Sequence, residues 1–145
     1  MQPGSRIVVD TNVFVSRAML PNSISARALR IVENHHILLA SEATMEELTE
    51  VLMRPKLAPY IIEQEKRELF AKLDTLTEIV PIVHYITACR DPKDNKFLDV
   101  AVNGDAHCII TGDADVLALH PFRGISILTP GAFLRDHSKS GGQMI

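Results

Sequence analysis

Four acidic residues stand where this chain's pattern brings side chains toward a common edge: Asp10, Glu47, Asp94 and Asp113. Asp10 ends the apolar run Ile7-Val8-Val9, and Asp113 follows Thr111-Gly112 after Cys108-Ile109-Ile110. In open parallel α/β sheets, sites form outside the carboxyl ends of strands, and both acids fall there. Asn12, two residues past Asp10, could orient it by a hydrogen bond. Asp113 has a plainer role open to it, as the cap of a short helix over residues 115–119. The other two acids are placed by helical angle. At about 100° per residue, Met45, Leu48, Val51 and Leu52 define an apolar arc, and Glu47 lies about 40° from Val51 at its border. Glu46 and Glu50 fall on the opposite, solvated side. In Asp91-Pro92-Lys93-Asp94, Asp91 is the expected N-cap and Pro92 the first helical residue, so Asp94 is the third. Asp94, Phe97, Leu98 and Ala101 then share one inward stripe, and Asp99, about 140° from Asp94, is expected to face water.

Converging carboxylates without matching lysines or arginines repel one another. A divalent cation resolves that conflict. Magnesium or manganese takes oxygen ligands and keeps water positions open for a phosphate. Such a site can activate a water and neutralise charge during in-line displacement at a phosphodiester. No Ser-His-Asp arrangement, P-loop or Gly-rich dinucleotide turn competes with this chemistry. A zinc site from Cys89, Cys108, His84 and His107 would need closer spacing than these residues offer.

The elements that must position these acids alternate in type. Short β-branched runs separated by longer helical patterns indicate a parallel sheet with helices on both faces. Strands are expected at Arg6–Asp10, Ile37–Ala40, Thr77–His84, Cys108–Thr111 and Ile125–Leu128, with Pro81 marking the third as an edge strand. Helices are expected over Ser25–Glu33, from Ser41 to about Arg54, in one or two pieces between Ala58 and Leu76, and over Pro92–Asn103. A short one follows Thr129-Pro130. Residues 1–137 form one domain in this reading, and 138–145 have the composition of a disordered tail.

With 145 residues, 46% hydrophobic and 23% charged, the chain suits a single globular domain rather than a disordered or fibrous one. Its apolar runs are far too short to span a bilayer. Two cysteines and a start that runs straight into a strand point to a reduced, cytoplasmic setting. The net charge of −3 is low for a nucleic-acid binder, but acids gathered around a cation distort that count.

In order and spacing, Ile7-Val8-Val9-Asp10-Thr11-Asn12-Val13-Phe14, Ser41 with Glu46-Glu47-Leu48, Asp91-Pro92-Lys93-Asp94-Asn95-Lys96-Phe97-Leu98 and Thr111-Gly112-Asp113-Ala114-Asp115 resemble the PIN domain family. The likeness runs from Arg6 to about Arg135. Within that family the chain is most similar to the prokaryotic subgroup assigned as toxins of toxin–antitoxin pairs, whose ending resembles Ile127-Leu128-Thr129-Pro130-Gly131-Ala132-Phe133-Leu134. The resemblance implies a Rossmann-like sheet, magnesium- or manganese-dependent ribonuclease activity, homodimers or higher homo-oligomers, and a cognate antitoxin. It carries over Asp10, Glu47, Asp94 and Asp113 as catalytic metal ligands, Asp115 as an auxiliary ligand, and Asn12 and Thr111 as supporting polar residues. Arg17, Lys93 and Lys96, close in sequence to those acids, are expected to meet RNA phosphates. Two alternatives stand beside this. One is a module that binds RNA or protein without cutting. The other is a phosphoryl-transfer fold, which would place an aspartate at position 12 or a phosphorylatable aspartate after a middle strand.

Overall fold

The computed structural model describes residues 1–143, with side chains described through Ser138. Five strands, β1 (Arg6–Val9), β2 (Ile37–Ala40), β3 (Thr77–Ile79), β4 (Cys108–Ile110) and β5 (Ser126–Leu128), form one sheet in the order β3-β2-β1-β4-β5. Every pairing is parallel. Side chains alternate across a strand, so Ile7 and Val9 enter one apolar cluster while Val8 enters the other. The first cluster packs α1 (Thr11–Met19), α2 (Ile24–His35), α3 (Glu42–Leu52), α4 (Glu63–Leu76) and α7 (Pro130–Gln143) against the sheet. The second packs α5 (Asn95–Asn103) and α6 (Ala114–Leu117) on the opposite face. The α/β architecture with helices on both faces is therefore as the sequence pattern predicts. Strand order reverses between β1 and β4, and a doubly wound sheet opens a crevice at such a point. Among the described residues, no helix is long and apolar enough to cross a membrane.

Helix α1 is absent from the sequence-based expectation. Asp10 caps it by accepting from the Asn12 N–H. Its buried stripe is Val13, Phe14, Arg17 and Ala18, and the arginine hides the apolar periodicity. Arg17 is 2% exposed and lies between α1 and α2 with Glu33, at 3.4 Å. It is therefore not an RNA-phosphate contact in this fold, because its helical position turns it inward.

Helix α3 starts with a reciprocal capping box: the Ser41 hydroxyl accepts from the Thr44 N–H, and the Thr44 hydroxyl accepts from the Ser41 N–H. Burial of Leu48 and Leu52 holds it on the sheet, with roughly 1.5–3 kcal/mol from each side chain.

The third strand ends at Ile79, earlier than its β-branched composition suggests, and residues 80–91 run on without regular structure. Helix α5 pins that segment. Asn95 accepts from the Ala88 and Cys89 N–H groups, Asp99 from Ile86 at 2.6 Å, and Asn103 from Val83 and His84. Asp99 is thus buried under the segment instead of facing water, since a chain with no ladder of its own needs acceptors for its N–H groups. At the other end, α7 continues through Gln143, farther than the short helix expected and into the stretch read as a disordered tail. Residues 144–145 lie outside the described residues.

Candidate metal centre

Strand β1 delivers Asp10 to the crevice, 8% exposed. Its Oδ2 accepts a 2.7 Å bond from the Thr111 hydroxyl and its Oδ1 a 3.3 Å bond from the Asn12 N–H. The side chain of Asn12 is itself exposed, so this residue supports Asp10 through its main chain. Thr111, 1% exposed at the end of β4, also accepts from the Asp113 N–H at 3.0 Å and so ties the two acids to one hydroxyl. Burial pushes the Asp10 carboxyl up from its ordinary range, and Glu47 and Asp113 add to that against the pull of the two donors.

Glu47 comes from α3 on one face of the sheet and Asp94 from the other. The Thr11 hydroxyl donates to Glu47 Oε2, and Lys96 Nζ pairs with Oε1 at 2.9 Å. Asp94 ends a 3-10 turn, Pro92–Asp94, just ahead of α5, with Asp91 as the cap of that turn. Its side chain makes no capping hydrogen bond to α5. Burial raises its carboxyl to about 6, reinforced by Asp113, Asp91, Asp10 and Glu47 in that order. Asp94 thus lies within electrostatic reach of acids carried by three other elements.

Asp113 does cap α6, its Oδ1 accepting from the Asp115 and Val116 N–H groups. That leaves Oδ2 available to the crevice. Asp115 is half-exposed at the rim, 4.0 Å from Arg90. Lys93 is exposed, and with Lys96 and Arg54 it lines a groove of about 480 Å³ beside Glu47. Of the three basic residues expected near phosphate, two are therefore beside the acids and Arg17 is not. Sequence reasoning missed Thr11, Arg54 and the contact of Lys96 with Glu47. The i, i+49 separation of that pair leaves no local signal.

Among the described residues, no lysine or arginine pairs with Asp10, Asp94 or Asp113. Nor do any three histidine, cysteine or acidic side chains there stand close enough to hold one ion by direct ligation. An all-oxygen, strongly anionic donor set still fits a small hard cation. Magnesium keeps several waters and uses only one or two carboxylates directly, the rest acting through those waters. The thiols contribute nothing comparable. Burial pushes Cys89 up to about 11 and Cys108 up to about 12, and the two belong to opposite apolar clusters.

Residues 6–115 match the family model described as PIN domain. The chain is 31% identical to an uncharacterised protein of Methanocaldococcus jannaschii, with 92% of each covered. Among solved structures, VapBC2 of Rickettsia felis bound to a DNA fragment from its promoter superposes with a TM-score of 0.56 at 14% identity. That likeness covers 84% of this chain and 96% of the other. PAE2754 of Pyrobaculum aerophilum gives the same TM-score at 16% identity, covering 92% and 90%.

Proposed function

The chain belongs to the PIN domain family, and we infer from its four converging acids that it is a divalent-metal-dependent endoribonuclease acting as the toxin of a toxin–antitoxin pair. The observation that carries this reading is Asp10, buried at the carboxyl end of β1, tied through the Thr111 hydroxyl to Asp113 after β4, and without a lysine or arginine partner among the described residues. Asp10, Glu47, Asp94 and Asp113 would hold magnesium or manganese, with Asp115 assisting from the rim. The bound ion would supply charge neutralisation at the scissile phosphate and a more acidic water. Thr111 and the Asn12 N–H fix the Asp10 carboxylate, and Thr11 does the same for Glu47. Fixed acids cost little reorganisation when charge develops in the transition state. Lys93 and Lys96, which line the groove beside Glu47, would hold phosphates of the RNA strand.

The toxin assignment rests on the resemblance of the sequence to that subgroup, supported by the likeness of fold to VapBC2. A cognate antitoxin is the partner this reading calls for, and homo-oligomers go with it. The grip of Lys96 on Glu47 favours a second reading, in which the module binds RNA or protein without cutting.

One assay separates the two. Purified protein is incubated with unstructured RNA in manganese and in chelator, and the new ends are identified. Cleavage only with metal, leaving 5′-phosphate and 3′-hydroxyl ends, supports hydrolysis by an activated water. Intact RNA in saturating manganese assigns the binding module.

A further inference from the structure

Beside the acids lies a cavity of about 590 Å³, inside the size range of small-ligand sites. Ile79, Pro81, Ile82 and Tyr85 give it apolar walls, α3 contributes Glu42 and Glu46, and α5 contributes Lys96 and Asp99. That same Lys96 pairs with Glu47, so one side chain both lines this cavity and touches a candidate catalytic acid.

Tyr85 is 75% exposed and has no packing role that explains an aromatic there. It is nevertheless held in place. The N–H groups of His84 and Ile86, on either side of it, are bonded to Asn103 and Asp99 of α5. An exposed ring on a pinned backbone is a preformed platform.

We propose that this cavity receives the unpaired base of a nucleotide flanking the cut, stacked on Tyr85, and so acts as a base-specificity subsite. The proposal rests on the ribonuclease reading and adds a specificity subsite to it. Aromatic side chains bind splayed-out bases through their faces, which a base paired within a duplex cannot offer. The phosphate of that nucleotide stays outside, near Lys96 and Lys93, because Glu42 and Glu46 would repel it. Those two carboxylates are both exposed and, as acceptors, favour bases that carry an amino group. Adenine and cytosine are therefore preferred over uracil.

The chain contains no tryptophan, so Tyr85→Trp places a single fluorescent reporter at the platform. Carried in the Asp94→Asn background with manganese present, it keeps RNA intact during titration. Single-stranded oligoadenylate and oligocytidylate should quench its emission, oligouridylate should quench it less, and a blunt RNA duplex should leave it unchanged. In the same Asp94→Asn background, Tyr85→Ala should weaken single-strand affinity about tenfold, whereas Tyr85→Phe, which keeps the ring, should bind normally. Strand binding detected by anisotropy without quenching, together with normal affinity for Tyr85→Ala, would overturn the subsite and leave the ribonuclease reading standing. Quenching by a basic peptide and not by RNA would assign the cavity to a protein partner instead. Failure to bind any RNA would overturn the ribonuclease reading itself and the subsite with it.

Discussion

Glu33→Gln should destabilise the protein more than Arg17→Met, although the two residues form one ion pair. Arg17 is 2% exposed and the Glu33 side chain 4%. Arg17 Nη2 donates to Glu33 Oε2 at 3.4 Å, Nη1 faces Oε1 at 3.4 Å without hydrogen-bond geometry, and Nε has no partner among the described residues. Glu33 is better served, because Lys72 Nζ also reaches it at 3.0 Å from a position 43% exposed. Replacing Glu33 leaves a buried guanidinium without an anion, which costs about 3–5 kcal/mol. Replacing Arg17 by methionine fills a similar volume and leaves Glu33 paired with Lys72, for a cost of roughly 1–2 kcal/mol. At about 3 °C per kcal/mol for a domain of this size, the melting temperature should fall roughly 10–15 °C for Glu33→Gln and less than half that for Arg17→Met. Circular dichroism melts, with urea titrations for the free energies, give the ordering. Arg17→Met should also leave the salt dependence of RNA binding unchanged, since the side chain cannot reach a phosphate. The reasoning fails if Arg17→Met is the costlier change, or if it flattens that salt dependence.

Manganese should raise the melting temperature relative to chelator, and Asp10→Ala should remove most of the rise, because empty acids repel and a ligand of the native state stabilises it. Lys96→Met should tighten manganese binding several-fold in calorimetry, since the ammonium competes with the ion for Glu47; equal or weaker binding would rule that competition out. His36, whose Nε2 is buried without a partner among the described residues, is lowered to about 4 from an ordinary 6.5, by burial first and then by His137, His35, the N-terminus and His107. Between those values the unfolded chain carries the extra proton, so stability should fall as pH drops from about 6.5 toward 4. A His36→Phe variant should lose less stability over that window in parallel melts, and matching curves would refute the assignment.

The legible parts of the fold were those where pattern and position coincide. Asp10 and Asp113 could be placed because apolar runs carry them to strand ends, and Glu47 and Asp94 because a wheel fixes which residues share a face. The wheel failed for Asp99 through an assumption about what lies outside the helix. Asn95, Asp99 and Asn103 recur at four-residue spacing, and that polar stripe is a row of acceptors for the segment over 83–89. Repeated short acceptors at that spacing were a usable signal. Helix α1 was hidden because a charge occupies a core position, and its partner lies 16 residues away on another helix. The Lys96–Glu47 contact depends on how two helices on opposite faces meet over the sheet edge, which local spacing does not encode.

The central claim is that the acids at the crevice, and not acids in general, run a metal-dependent cleavage. It is tested most directly by initial rates of RNA cleavage in manganese for Asp94→Asn and Asp99→Asn beside wild type, each normalised to folded protein. Asp94→Asn keeps shape but removes a charge facing three other carboxylates, and its rate should fall at least about a hundredfold. Asp99→Asn keeps an oxygen acceptor for Ile86, so it should cost some stability and lower the rate per folded molecule far less than Asp94→Asn does. Equal rates for the two variants, or a larger loss for Asp99→Asn, would contradict the account.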